Sequence, residues 1–370
     1  RRMKSGKIAS ILLAAGYSSR MYSFKPFLKF GELTAVEKAV DTLKSAEIEE
    51  IIVVVGYRGS EVADKLRDSG AVCLWNENYS QGMYSSVLKG VEALDKDVKA
   101  FFIMPVDMPL IKKHTINLIK KEYLKSGKGI LYPVYNEKKG HPPLIDIKYR
   151  QAILSGSGEG GLEKILSSFP EDSANVFVFD PTVIMDMDTK EDYDALSSYY
   201  YLGAPNRNEC YAILKGYNVS ENVISHCAEV ARVSLGILEG LKRCGCALDA
   251  AALEAAAMLH DIAKGEKDHA IKGAMILKEI GYENVGHIIS THIDIDVDEK
   301  GEITENEVLY LADKLVSGTK TMSLKDRREQ SVKAFGGDTE ILDKINKRFD
   351  DAARIIKKIE KTTGKGLIYG

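Results

Sequence analysis

The chain has 370 residues, of which 45% are hydrophobic and 28% charged, with a formal net charge of −3. That length exceeds what one core usually serves, so two domains are expected. The near-balanced charge argues against a general polyanion binder, and no apolar run approaches the roughly 20 residues that span a bilayer, so neither a nucleic-acid nor a membrane partner is expected. The opening "RRMKSGKIAS" passes from charge into a strand-like run rather than a secretory signal. Five scattered cysteines, Cys73, Cys210, Cys227, Cys244 and Cys246, contain no CxxC pair, and a reduced, cytoplasmic setting is the expectation.

From about residue 7 to 190 short apolar runs alternate with helical segments. "KIASILLAA", "EIIVVVG", "KAFFIMPVD", "GILYPVY" and "VFVFD" read as strands; "ELTAVEKAVDTLKSAE" and "SEVADKLRDSG" read as amphipathic helices. The alternation implies a Rossmann-like α/β domain, a mostly parallel sheet with helices on both faces. From about Asn218 the strand signal vanishes, and an all-α helical bundle is expected. Ser220 is a candidate N-cap for a helix with Val223, Cys227, Val230, Ala231, Leu238 and Leu241 on one face. "LDAAALEAAAMLHD", "HAIKGAMILKEIG", "ENEVLYLADKLVSG" and "DTEILDKINKRFDDAARIIKKIEK" continue the pattern. Gly203, Pro205 and Asn206 punctuate the join, which sets expected bounds of 1–202 for the first domain, 203–217 for a linker and 218–370 for the second.

In the first half, "SILLAAGYSSRMYSFKPFLKF" runs from a strand into a small, polar loop. Small residues let backbone N–H groups approach phosphate oxygens, so Leu13, Ala14, Ala15 and Gly16 are candidate nucleotide-binding residues. Arg20 and Lys25 supply positive charge for a triphosphate and for leaving pyrophosphate. "IMPVDMPLI" puts Asp107 just past a strand, at the carboxyl edge where such sheets bind ligands. In "VIMDMDTKEDY", Asp186 and Asp188 would share a face if extended, although Asp188-Thr189 ahead of Glu191 and Asp192 also reads as a helix start. Carboxylates in these positions suit Mg²⁺ bridged to phosphates.

In the second half, five of the seven histidines fall between His226 and His292. His226, the adjacent His260 and Asp261, His269, His292 and Asp313 each lie on a different predicted helix or at a helix edge, so a bundle can aim all of them at one spot. Adjacent helical residues diverge by about 100°, so His260 and Asp261 would not both reach a single compact partner. Lys264 lies one turn on, and His287 is left as a surface or core residue.

On "LAAG" (13–16), "NENYSQGMYSSVLKG" (76–90) and "GHPPLI" (140–145), the first half resembles the molybdopterin-type nucleotidyltransferases, in their cytidylyl branch. The resemblance implies transfer of CMP from CTP, or from another nucleoside triphosphate, to a molybdopterin-type acceptor, with Mg²⁺ as cofactor. It places Gly82, Ser85 and Ser86 in the nucleotide pocket and Gly140, His141 and Pro142 at the acceptor, and extends to a molybdoenzyme or its chaperone as partner. Tyr22 departs from the family glycine at that place. On "HDIAK" and the order His226, His260-Asp261, His269, His292, Asp313, the second half resembles the HD-domain phosphohydrolases. That implies one or two divalent transition metals (Mn, Fe, Ni, Co or Zn), which His260 and Asp261 would straddle with the carboxylate bridging a pair, and Lys264 to offset phosphate charge; "SLKDRREQSVKAFGG" reads as a helical tail. The competing expectations are a sugar- or alditol-phosphate nucleotidyltransferase and an HD half that binds metal and nucleotide without turnover.

Overall fold

A computed structural model describes residues 6–18, 21, 23–335 and 339–364. The chain forms two compact units, Arg1–Tyr201 and Leu202–Gly370.

In the first unit, β1 (Lys7–Ala14) is followed by the hairpin of β2 (Lys29–Phe30) and β3 (Leu33–Thr34), then α1 (Ala35–Ser45), β4 (Glu50–Val55), α2 (Gly59–Lys65) and β5 (Val72–Trp75). Next come α3 (Met83–Ala93), β6 (Val98–Pro105), α4 (Lys113–Ser126), β7 (Ile130–Tyr135), β8 (Lys138–Lys139) and β9 (Leu144–Asp146). The unit finishes with α5 (Arg150–Leu154), α6 (Gly161–Leu166), β10 (Ser173–Phe177) and α7 (Lys190–Leu202). The sheet order is β10-β7-β9-β6-β1-β4-β5, with β8 paired to β7. β1 lies parallel to both β4 and β6, and β9 is inserted antiparallel between β6 and β7. The chain runs outward from β1 through β4 to β5, then returns to place β6 on the other side of β1. This reversal opens a crevice beyond the carboxyl ends of β1 and β6.

β1 is buried on both faces, as a central parallel strand must be. Leu12 and Ala14 join the apolar cluster on one side, Ile11 and Leu13 that on the other. A Cβ on Gly90 would meet Ile11 Cγ2 at 2.4 Å, so glycine lets α3 lie close against β1. α1 starts at Ala35, three residues into the expected segment, because Thr34 and Glu37 form a reciprocal capping box and Leu33–Thr34 pair as a strand.

The second unit holds α8 (Arg207–Gly216), α9 (Glu221–Arg243), α10 (Ala250–Leu259), α11 (His269–Glu279), α12 (Glu283–Ile289) and α13 (Glu305–Lys314). A hairpin, β11 (Val316–Ser317) and β12 (Lys320–Thr321), leads to α14 (Leu324–Phe335) and α15 (Thr339–Thr363). The unit is predominantly helical. Two expectations change here. Residues 203–217 hold a helix in place of a linker: Asn206 and Glu209 cap α8, which buries Cys210, Ile213 and Leu214. The region expected to be all-helical contains the β11–β12 hairpin. Ser220 stands at the N-cap of α9, but its side chain makes no capping bond.

Candidate nucleotide cleft and metal centre

The crevice at the carboxyl edge of the first unit is a cleft of about 600 Å³. Its floor is the end of β1 with the loop that follows, Leu13 to Ser18; one wall is Tyr79 and Gly82 ahead of α3 with Met83 and Ser86 in its first turn; the other runs from Pro105 at the end of β6 to Met108. Val106 N donates to Leu13 O at 3.1 Å, tying the two strand ends together. Gly82 precedes α3 with φ of 101°, a conformation that favours glycine. The N-terminal turn of α3 therefore lines the cleft with the positive end of its dipole.

Lys25 is the centre of the charged constellation. Its Nζ lies 3.2 Å from Asp107 Oδ2 and 2.7 Å from Asp188 Oδ1, and its backbone N–H donates to Ser18 Oγ at 3.0 Å. The 185–188 segment reaches the cleft because Met187 N donates to Asp107 O at 3.0 Å. Met187 is fully buried, so Asp186 and Asp188 on either side of it line the cleft. Thr189, not Asp188, caps α7: its backbone N–H and hydroxyl both donate to Asp192 Oδ2 at 2.8 Å. Partial burial, then the charges of Asp188 and Asp107, raise the Asp186 carboxyl above its ordinary range. Three carboxylates against one ammonium leave excess negative charge, which a divalent cation fits.

Leu13, Ala14, Ala15, Gly16, Lys25, Gly82, Ser86, Asp107, His141, Asp186 and Asp188 all line this cleft. Ser85, Gly140 and Pro142 do not. The Ser85 hydroxyl is held by Asn78 O, Gly82 O and the Asn76 amide. Gly140 is packed so closely that a Cβ would stand 2.2 Å from Val183 O, and Pro142 is buried beside it. Both shape the loop that presents His141. Arg20 and Tyr22 lie outside the described residues. Sequence reasoning missed an aromatic lip, in which the Tyr17 ring sits 5.0 Å from that of Tyr79 and 5.3 Å from that of Tyr57. Tyr17 directly follows "LAAG", which was the available signal.

In the second unit α10 delivers His260 and Asp261 at its C-terminal end. Asp261 faces both ways. Its Oδ2 is 3.5 Å from His260 Nε2 and 3.9 Å from His226 Nε2; its Oδ1 is 3.4 Å from His269 Nε2 and 3.7 Å from His292 Nε2. Asp313 Oδ1 joins the first group, 3.2 Å from His226 Nε2 and 3.5 Å from His260 Nε2. Two ligand sets thus share one carboxylate: His226, His260 and Asp261, and Asp261, His269 and His292.

The fit to metal is chemical as well as geometric. His260 Nδ1 bonds Ala257 O and His292 Nδ1 bonds Ile289 O, so each ring directs its Nε2 lone pair inward. Both Nε2 atoms are buried with no hydrogen-bond partner, a costly state that a cation relieves. Burial works against ionisation of Asp261, but His269, His292, His260 and Lys264 hold its carboxyl well below the usual range. Asp313 is held low against burial by Lys314, His226 and His260. Burial lowers the His292 imidazole from its ordinary value, whereas Cys227, Asp313 and Asp261 raise His260 against its burial. Lys264 bonds Asp261 Oδ2 from the half-exposed rim. His287 is exposed and outside both sets. The sequence offered no sign of Lys314, whose Nζ ties Asp313 Oδ2 to His292 O.

Comparisons with known proteins agree with this division. Residues 10–174 match the MobA-like NTP transferase domain family, and residues 223–318 match the HD domain family. Over 195 residues the chain is 28% identical to the molybdenum cofactor cytidylyltransferase of Escherichia coli (strain K12), covering 52% of this chain and 97% of that protein. Over 204 residues it is 26% identical to the nicotine blue oxidoreductase of Paenarthrobacter nicotinovorans, covering 53% and 96% respectively. A solved nucleotidyl transferase from Methanothermobacter has a TM-score of 0.47 and 20% identity, covering 53% of this chain and 98% of its own. The two named activities differ, so similarity at this level carries the domain and not the substrate. A molybdoenzyme or chaperone partner finds no support among these relatives. No helix among the described residues is long and apolar enough to cross a membrane. The chain is an enzyme that joins a MobA-like NTP transferase domain to an HD domain of the metal-dependent phosphohydrolase fold.

Proposed function

We propose that the first unit transfers CMP from CTP to the terminal phosphate of a molybdopterin-type acceptor, releasing pyrophosphate. The observation that carries this reading is the meeting of Lys25 with Asp107 and Asp188 at the foot of the cleft, supported by the cytidylyltransferase relative. The loop from Leu13 to Ser18 and the start of α3 hold the triphosphate through backbone N–H groups. Lys25 and Arg20 neutralise charge that grows on the departing pyrophosphate. Mg²⁺ held by Asp107, Asp186 and Asp188 would supply charge neutralisation on the phosphates. His141 orients the acceptor from the opposite rim, with Gly140 and Pro142 setting its loop. Little covalent chemistry is asked of the protein, so positioning and electrostatics provide the catalysis. The test is pyrophosphate release from each nucleoside triphosphate with molybdopterin as acceptor. CTP is expected to be preferred and Asp107→Ala to abolish release; turnover indifferent to that substitution contradicts the reading.

For the second unit the reading is hydrolysis of a phosphate ester or anhydride generated by the first: a product, a by-product nucleotide or a damaged intermediate. One or two divalent transition metals (Mn, Fe, Ni, Co or Zn) held by the two ligand sets would supply Lewis acidity toward water and phosphate. Lys264 is placed to offset phosphate charge at the rim. The full-length Asp107→Ala chain, given Mn²⁺ and the products of the first reaction, is expected to release phosphate or nucleotide; absence of release contradicts this.

A further inference from the structure

Among the three buried imidazoles of the metal centre, two are oriented from within their own helical turn. His260 Nδ1 lies 2.8 Å from Ala257 O and His292 Nδ1 2.7 Å from Ile289 O. His226 differs. Its Nδ1 lies 2.9 Å from Gly318 O, a carbonyl 92 residues away. Gly318 is in the turn between β11 and β12, and strands of two residues are far too short to hold a conformation unaided.

The hairpin is held from two sides. On the α9 side, Thr321 Oγ1 donates to Glu229 Oε1 at 2.8 Å and accepts from Arg232 Nη2 at 3.0 Å. Arg232 in turn bonds both Glu229 carboxylate oxygens, at 2.9 and 2.7 Å. Glu229 lies one turn after His226, on the same flank of α9. On the α14 side, Arg327 Nε donates to Val316 O at 3.3 Å and Ser317 Oγ donates to Gln330 Oε1 at 2.8 Å. The HD family match ends at residue 318. Thr321, Arg327 and Gln330 therefore lie beyond it, in the hairpin's second strand and the helix that follows.

We propose that residues 319–335 are a clamp for the metal centre, pressing the Gly318 carbonyl against His226 Nδ1 so that its Nε2 lone pair faces Asp261 and Asp313. The clamp sets the affinity of the ion position formed by His226, His260, Asp261 and Asp313. The position formed by His269, His292 and Asp261 is independent of it. Thr321 and Arg327 touch no ligand; they are positioning residues. The inference rests on the metal-centre reading.

The test is titration of Mn²⁺ into the metal-free full-length chain, followed by electron paramagnetic resonance, with folding checked by circular dichroism. Thr321→Val is expected to weaken one Mn²⁺ several-fold, up to about the tenfold that loss of a ligand's own outer partner gives, and to leave the other within about twofold. Thr321→Ser, which keeps the hydroxyl, restores wild-type binding. In a His226→Ala background, Thr321→Val has no further effect. The proposal is overturned by unchanged binding in Thr321→Val, by equal weakening of both ions, or by the same loss in the His226→Ala background, which marks general loosening. A folded wild-type chain that binds no Mn²⁺ removes the metal-centre reading itself, and the clamp with it.

Discussion

In the first unit the charged side chains reach the cleft mostly from loops at the edge of a sheet, whereas in the second they come from helix ends and meet inside a bundle. The difference shows in exposure. Lys25, Asp107 and Asp188 side chains are 12%, 20% and 27% exposed, against 1%, 4% and 1% for His260, Asp261 and His292. In the cleft, Lys25 pairs with Asp107 and Asp188, and on the proposed reading a cation arrives with its nucleotide. In the bundle, two buried imidazole nitrogens have no hydrogen-bond partner, a cost that an ion held there would relieve. One site is built to exchange its charge, the other to keep it.

Four substitutions or conditions would sharpen or break that contrast. Asp261→Ala removes the carboxylate common to both ligand sets, and bound transition metal per chain, measured by elemental analysis, is expected to fall close to zero. Retention of one full equivalent would show that the sets do not depend on a shared ligand. Lys25→Ala is expected to lower kcat for pyrophosphate release about 10²- to 10³-fold, the range seen when one transition-state donor is lost, with metal content of the second unit unchanged. Chelation of metal is expected to lower the stability of the second unit by about 2.7 kcal/mol if metal had been present at 100 times its Kd. Calorimetry before and after chelation measures this; chelation should leave the transition of the first unit in place. The smallest effect concerns pH. Because the folded Asp186 carboxyl is raised, it takes up a proton at a higher pH than an ordinary carboxyl does. A cation must displace that proton, so Mg²⁺ affinity of the cleft should fall as pH drops through the raised value. Asp186→Asn should flatten this dependence on the acid side of neutrality, above the ordinary carboxyl range, and an unchanged slope would assign it to another group.

How much was legible beforehand follows from where each signal lives. The clustered imidazoles and carboxylates lie on separate helices or at their edges, and their types and order in the sequence pointed to the grouping that the fold assembles. Gly318 has no such signature, because what it contributes is a backbone carbonyl, and two-residue strands fall below any alternating pattern. α8 was missed although Asn206 and Glu209 carry a capping box, since the nearby Gly203 and Pro205 read as loop punctuation. Ser85 sits in a motif that points to the pocket, yet its hydroxyl is satisfied locally by Asn78 and Gly82. For Asp188 the competing reading as a helix cap is resolved by its neighbour: Thr189 takes the cap and leaves the carboxylate to Lys25. The antiparallel insertion of β9 between β6 and β7 depends on long-range pairing that no local pattern encodes.

Anomalous diffraction from crystals of the full-length chain grown with Mn²⁺ probes the shared carboxylate directly. Two peaks are expected, on opposite oxygens of Asp261, one beside His226 and His260 and the other beside His269 and His292. A single ion that leaves either pair of imidazoles without a ligand role, or density that avoids Asp261, would contradict the account.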